Sequence, residues 1–314
     1  MVQGEFIIKF PNIECEAKMD LRKIFGRNLR GNIMNALSFL PDKMYLKLFY
    51  RATTGKKINF KNPKGYCEKL QWLKVNDRRP EYTKLVDKLM VREHINEVMG
   101  EGHLFPLLGK WKRFDDIDFD KLPEQFVIKC NHDSGSTKVI KNKSSLTKKD
   151  FKKMKKFYKK RLKRDFYYAG REYPYKGIDR YIIAEQLMID SDNPDKSIED
   201  YKFFCFNGEP KIMFVATDRI TNCKFDFFDM DFNHLDIYNI HENADKPIPK
   251  PAMFDEMKEI ARKLSQGMRH VRIDLYELNG KIYFGEYTFF HGGGFQLFHP
   301  AEWERKLGDW IDIS

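Results

Sequence analysis

Two acids and an arginine lie close together near the end of the chain, in VRIDLYELNGKIYFGEYT, where Asn279 and Gly280 mark a tight turn between two β-rich stretches. Which of these side chains share a face depends on the register of that hairpin. A two-residue Asn-Gly loop pairs Leu278 with Lys281 and sends Asp274 and Glu286 to opposite faces. A three-residue loop, Asn279 to Lys281 with Gly280 left-handed in a bulge, pairs Leu278 with Ile282 instead. We expect the second, which sets Arg272 against Thr288 and Asp274 against Glu286. Directly opposed carboxylates persist only with something cationic between or beside them. A divalent metal answers that need, because two carboxylates plus substrate phosphates are a usual way of holding Mg2+. The alternative is that Arg272 alone neutralises the pair as a surface salt-bridge cluster.

Other motifs carry less. Asp229 and Asp231 form a DxD of the kind found in metal-dependent nucleotide-sugar glycosyltransferases, but DxD also begins at Asp116, Asp118 and Asp190, as an aspartate-rich chain produces by chance. The run His291 to Gly294, HGGG, suggests an esterase oxyanion loop, yet no GxSxG elbow accompanies it. Those glycines are better read as leaving space at the mouth of an acceptor site. There is no HExxH and no GxxxxGK[ST]. The five cysteines, Cys15, Cys67, Cys130, Cys205 and Cys223, are odd in number and never spaced as CxxC, which fits a reducing compartment rather than a disulfide or zinc framework.

The elements that position these residues are readable from periodicity. Up to about residue 80 the chain reads as mostly helical, in LRKIFGRNLRGNIMNALSFL, KMYLKLFYRATTG and NPKGYCEKLQWLKV. A helix over PEYTKLVDKLMVREHINEVMG begins at Pro80 and ends at Gly100 and Gly102. Then come strand FVIKC, the polar tip NHDSGS and strand TKVI, a hairpin. Strand YIIAEQLMI, a hairpin KFFCFNGEPKIMFV turning at Asn207, Gly208 and Pro210, a linker with Pro247, Pro249 and Pro251, a helix FDEMKEIARKLSQGM and the acid-bearing hairpin complete the order. Helices and hairpins alternate without βα units or a fixed repeat, so the class is α+β. The expected division is 1-80 for the helical region, 81-188 for a first α+β subdomain and 189-314 for a second.

Of 314 residues, 42% are hydrophobic and 33% charged, enough apolar material for a sizeable core and too much charge for a membrane bundle. No window approaches the roughly 18 consecutive apolar residues of a membrane span, and Glu5 interrupts the first apolar run, so a cytoplasmic protein is expected. The net charge of +11 is local. Residues 138 to 164 hold fourteen Lys or Arg against one acid, Asp150, leaving −2 for the rest of the chain. Within this segment Thr147 and Asp150 stand in capping-box positions, Leu146 and Phe151 have staple spacing, and Phe151, Met154, Tyr158 and Leu162 form an apolar stripe. A basic amphipathic helix results. It is either a solvated face or a surface for an acidic glycan, anionic lipid headgroups or nucleic acid.

The blocks PKGYCEKLQWLK, LVDKLMVRE, LPEQFVIKCNHDSGS, YIIAEQLM, DYKFFCFNGEPK and VRIDLYELNGKIYFGEYTFFHGGG, in this order over roughly residues 40 to 310, resemble the TupA-like branch of the ATP-grasp superfamily, amide ligases of bacterial surface-polysaccharide pathways. The resemblance implies an ATP-grasp fold, two α+β subdomains clamping ATP, behind an N-terminal mostly helical extension. It implies ATP and Mg2+ as cofactors, with Asp274 and Glu286 as metal ligands and Arg272 steadying the transferring phosphoryl group. Lys129, whose ammonium in an apolar strand needs an anion, matches the phosphate-binding lysine. Lys202 and Arg92 match further phosphate-binding cations. The loop His132, Ser134, Gly135 and Ser136, with Lys138 after it, resembles the mobile phosphate cover. Glu185 matches the ribose-binding acid, and Gln186, Leu187 and Met188 the hinge whose backbone reads adenine. Thr288 departs from the asparagine common two residues after the second acid, and its single oxygen makes a poorer ligand.

The implied reaction activates a carboxylate by γ-phosphoryl transfer and lets an amine attack the acyl phosphate, with Lys202 and Arg272 as the catalytic cations. The basic helix motivates an acidic sugar or polysaccharide acceptor, with an amino acid or other amine as co-substrate. A peripheral contact with an anionic membrane is a further candidate, placing the protein in the cytoplasm or at the inner membrane face, and nucleic acid is disfavoured. The competing readings are a nucleotide-sugar glycosyltransferase and a non-catalytic anion-binding protein.

Overall fold

Alternating apolar residues build two antiparallel sheets in the computed structural model, which describes residues 37–190, 198–217 and 223–314. Most of the expected first helix, up to residue 36, lies outside the described residues. The smaller sheet has strands β1 (Leu107–Trp111), β2 (Phe126–Cys130), β3 (Lys138–Ile140) and β4 (Ile182–Gln186) in the order β1-β4-β2-β3. The larger has β5 (Asp200–Phe206), β6 (Glu209–Thr217), β7 (Lys224–Asp229), β8 (His234–Leu235), β9 (His270–Leu278) and β10 (Lys281–Thr288) in the order β10-β9-β5-β6-β7-β8.

Each sheet has its own apolar core. Helices α1 (Asp42–Thr54), α2 (Tyr66–Asn76), α3 (Glu81–Val86) and α4 (Val91–Met99) contribute to the core of the larger sheet. The strand β5 is buried along its whole length because it is covered on both faces. Phe203 stacks on Phe254 of the helix Phe254–Leu264, while Phe204 packs on Tyr66 of α2 and on Phe298. The second core gathers Phe126, Ile128 and Cys130 of β2 with Ile182 and Ala184 of β4 against helix α5 (Lys148–Leu162). Helix α6 is the single turn Tyr167–Gly170, α7 is Phe254–Leu264 and α8 is Ala301–Asp309.

The basic helix α5 starts as its cap residues dictate. The Asp150 backbone N–H donates to Thr147 Oγ1 at 3.3 Å, and the Thr147 backbone N–H donates to Asp150 Oδ2 at 3.1 Å. Met154 and Tyr158 are buried, and the single Tyr158 hydroxyl proton is shared between the carbonyls of Ile128 at 2.9 Å and Ser136 at 3.0 Å. The apolar stripe therefore faces the sheet and the lysines face outward.

Three local expectations are corrected. The helix expected over 80 to 100 breaks at Asp87, whose carboxylate accepts the Leu89 N–H at 2.8 Å and the Asn131 side-chain amide at 2.9 Å. A carboxylate that satisfies backbone donors locally competes with helix continuation. Pro210 is in β6, paired with Cys205, and the turn consists of Asn207 and Gly208, both at positive φ. The acid-bearing hairpin has a two-residue turn, since Lys281 pairs with Leu278, and Asn279 and Gly280 have φ of 51° and 68°. The extra residue is Gly285, in the middle of β10.

The end of the chain is pinned to α2 through Glu304, which accepts the Cys67 N–H at 2.6 Å and the Phe298 N–H at 3.2 Å. Burial pushes this carboxyl up to about 7 from its ordinary 4.5. The folded chain thus holds a proton that the unfolded chain releases, so this group's contribution is full below pH 4.5 and falls as pH rises towards 7. The span corresponds to about 3 kcal/mol. Urea unfolding at about pH 5 and pH 8 is expected to show a smaller stability difference in Glu304→Gln than in the wild type, and an unchanged difference counts against the assignment.

Candidate active site

One rung of the larger sheet brings the candidate residues together. Lys202 on β5 pairs with Asp274 on β9, and Asp274 pairs with Glu286 on β10, so the three side chains stand in a row on one face. In the next rung Phe204, Arg272 and Thr288 stand beside them. With a two-residue turn alone the acids would point apart, as parity requires. The bulge at Gly285 adds the residue that restores their opposition.

The acids are clamped by cations. Arg272 donates from Nε to Asp274 Oδ1 at 2.6 Å and from Nη2 to Oδ2 at 2.7 Å, and Nη2 also reaches Thr288 Oγ1 at 3.0 Å and Glu286 Oε1 at 3.4 Å. Lys202 bonds Asp274 Oδ2 and stands 2.6 Å from Asp200 Oδ2. Burial drives the Asp274 carboxyl up, but Arg272 and then Lys202 more than offset it and hold it below the usual carboxylate range. Asp274 is 1% exposed, whereas the Glu286 side chain is 40% exposed and has the weaker contacts. Thr288 donates to Glu286 Oε1 at 3.2 Å, which orients that carboxylate.

The facing wall comes from the smaller sheet and α3–α4. Lys129 and Glu185 project from the same face of β2 and β4, and Lys129 Nζ meets Glu185 Oε2 at 2.5 Å. The anion that this partly buried lysine requires is thus supplied by its own sheet. Arg92 Nη1 lies 3.9 Å from Glu185 Oε1, and its Nη2 donates to the Phe105 carbonyl at 3.0 Å. One pocket is lined by Lys88, Arg92, Lys129 and Glu185 on this side and by Tyr276 and Gly285 of the hairpin on the other.

Lys88 is a pocket residue that sequence reasoning missed. It sits in the break between α3 and α4 that Asp87 creates, donates to the Asp133 carbonyl at 2.8 Å, and has its ammonium pK lowered by burial. The formal charges of the two walls are opposite. Lys202 and Arg272 against Asp200, Asp274 and Glu286 leave one negative charge on the hairpin side, while Lys88, Arg92 and Lys129 against Glu185 leave two positive charges opposite.

The remaining residues divide. In the loop after β2, Ser136 donates to Asp133 Oδ1 at 2.5 Å and accepts the Cys130 N–H at 2.9 Å, and Asp133 lies 2.6 Å from Arg161 of α5. His132 Nε2 is 3.3 Å from the Arg161 carbonyl, Ser134 offers its carbonyl to the Arg161 guanidinium, and Gly135 is left-handed at φ 78°. The expected cover is thus tied to the basic helix. Lys138 pairs with Ile128 and therefore points to the opposite face from Lys129, where it covers the Phe157 ring at 4.7 Å. Gln186, Leu187 and Met188 line a separate groove with Leu108, Leu122 and Pro123.

The competing motifs have structural roles. Asp229 accepts the backbone N–H groups of Asp231 and Asn233 at 2.9 and 2.8 Å, closing the turn after β7. In HGGG, Gly292, Gly293 and Gly294 are all left-handed, and the Gly293 carbonyl accepts from the buried Lys74 ammonium at 2.7 Å. His291 is buried against Arg272, 2.7 Å from Nη1. Among the described residues no group of three or more His, Cys, Asp or Glu side chains is placed to hold a metal ion, and no helix is long and apolar enough to cross a membrane. The oxygen donors of the acid pair suit a hard cation completed by phosphate and water.

The TupA-like ATP-grasp family profile matches residues 68–312. Among solved structures, D-alanine–D-alanine ligase from Bacillus anthracis is 17% identical with a TM-score of 0.38, over 65% of this chain and 57% of that one. The ATP-grasp ligase PsnB, complexed with a phosphomimetic variant of its minimal precursor, Mg and ADP, is 10% identical with a TM-score of 0.39, over 78% and 61%. D-alanine–D-alanine ligase from Helicobacter pylori is 13% identical with a TM-score of 0.34, over 73% and 61%. The chain spans less than two thirds of the length of each of these three proteins. No curated protein is matched.

Proposed function

Because the chain belongs to the TupA-like ATP-grasp family, we propose that it is an ATP- and Mg2+-dependent ligase that joins a carboxylate to an amine, the carboxylate being that of an acidic sugar in a bacterial surface polysaccharide. The observation that carries the reading is a juxtaposition: the rung of facing acids stands beside a pocket lined by Lys88, Arg92 and Lys129 and closed by Tyr276 and Gly285 of the acid-bearing hairpin. Such a pocket attracts a metal to one side and phosphates to the other.

Asp274 and Glu286 would hold Mg2+, which when bound supplies positive charge between phosphate oxygens. Lys129, Arg92, Lys88 and Lys202 would bind phosphates, Glu185 the ribose, and the backbone from Gln186 to Met188 the adenine edge. The loop from His132 to Ser136 would lie over the phosphates. Lys129 and Glu185 then exchange partners, the lysine for a phosphate and the acid for a hydroxyl, so neither charged group is left without a polar partner. A carboxylate oxygen of the acceptor attacks the γ-phosphorus and ADP leaves. The amine then attacks the acyl carbon, phosphate departs with the C–O bond electrons, and the amine's proton is released. Arg272 would stabilise charge on the transferring phosphoryl group, and no protein nucleophile is required.

The test is ADP release with Mg·ATP across a panel of uronic acids and amino acids. Release dependent on one acid and one amine, with an amide product by mass, is expected. Consumption of a UDP-sugar with no ADP release from any pair would sink the reading.

The exposed lysines of α5 offer the acidic acceptor a surface, since its apolar side is already used by the sheet. Reversing Lys152, Lys156 and Lys160 to Glu is expected to weaken binding of an acidic oligosaccharide by about tenfold or more at low salt, leaving Mg·ATP affinity unchanged. Unaltered oligosaccharide affinity removes the helix from the acceptor site.

A further inference from the structure

Arg272 has one contact that the acids do not make. Its Nη1 is 2.7 Å from His291 Nδ1. A guanidinium has no acceptor, so Nδ1 must accept, and a neutral imidazole then carries its proton on Nε2. That proton is donated to Asn239 Oδ1 at 2.9 Å. The Asn239 amide is fixed in turn, because its Nδ2 donates to the carbonyls of Gln296 at 2.8 Å and Leu297 at 3.0 Å. Every donor and acceptor in this chain has a single consistent direction. The imidazole is enclosed by Phe204, Phe214 and Phe298, with ring centroids 5.1 to 5.9 Å away, so no water competes for the bond.

We propose that His291, oriented by Asn239, is a positioning residue that keeps the Arg272 guanidinium aimed at the transferring phosphoryl group. The inference rests on the role given to Arg272 above. Both Asp274 oxygens are engaged, Oδ1 by Arg272 and Oδ2 by Arg272 and Lys202, so a metal drawing on that carboxylate loosens its hold on the arginine. The lone pair of His291 is not a ligand for the metal and keeps its hold. His291 lies in the turn that follows β10, and Asn239 lies between β8 and α7, so the arginine is located by a segment outside its own hairpin.

The experiment compares His291→Asn with His291→Gln, each alone and with Arg272→Lys. The Asn side chain returns an oxygen near the place of Nδ1, whereas Gln carries its polar atoms to the place of Nε2. The readouts are ADP release with the active acid and amine pair, and the calorimetric preference for Mg·AMPPNP over Mg·ADP. His291→Gln is expected to lower turnover by about 10- to 100-fold and to reduce the AMPPNP preference, with Mg·ADP affinity retained. His291→Asn recovers most of both, and in the Arg272→Lys background the two variants become equal. Equal Asn and Gln variants beside the native arginine overturn the proposal, as does a gap that survives Arg272→Lys or a loss of Mg·ADP affinity in both. Full turnover in Arg272→Lys itself would instead overturn the role of the arginine.

Discussion

Glu286→Gln lowers Mg·ATP-dependent turnover by about a thousandfold while shifting the unfolding midpoint little. The kinetic part follows from charge: a unit charge on a cation about 4 Å away at an effective dielectric of about 20 represents about 4 kcal/mol, close to three powers of ten in rate. The small stability change follows from exposure, since the side chain is 40% accessible and its two contacts are 3.2 and 3.4 Å long. Asp274→Asn behaves differently. It lowers turnover as severely and also destabilises the fold, by about 3–5 kcal/mol, because Arg272 and Lys202 lose a buried counter-charge. Turnover, Mg2+ dependence and urea midpoints for the two variants decide the matter. Wild-type turnover in Glu286→Gln would end the metal assignment.

Gly285→Val is expected to lower turnover by about 100-fold and to weaken nucleotide binding. A Cβ at this position meets the Tyr276 ring at 2.9 Å and the Asp274 carbonyl oxygen at 3.0 Å. Relief requires the backbone of β9 to move, and that backbone carries the buried acid. Misplacement of a reacting group by about 1 Å can cost a factor of about 100. The residue also lines the pocket between the two walls, so an isopropyl group occupies space there. Mg·ADP calorimetry together with turnover tests this, and a variant that matches the wild type in both would show that the bulge tolerates bulk.

The facing acids were legible in the sequence, but the route to them was not. The expected odd residue was placed at the Asn-Gly loop, whereas a glycine inside an otherwise regular strand was the available sign of a bulge. The basic helix was fully readable, because its cap and its stripe are local features. The helix break at Asp87 was not, since it depends on Asn131, which is distant in sequence, and with it went the location of Lys88. Lys129 signalled a need for an anion, yet pairing with Glu185 requires the order of strands within the sheet. His291 looked like part of a glycine-rich mouth, and only the folded chain brings it to Arg272.

The segment from His103 to Pro106 bonds to both sheets. The Phe284 N–H donates to the His103 carbonyl at 2.8 Å, and the Gln186 N–H donates to the Pro106 carbonyl at 2.9 Å. Between them, Phe105 lies against Tyr276 and Tyr283 with centroids 5.5 and 5.2 Å away. Three residues extend at most about 11 Å. At this edge the two sheets are therefore tethered like the covers of a book at its spine, and any rotation of one against the other is felt least here and most at the far margin.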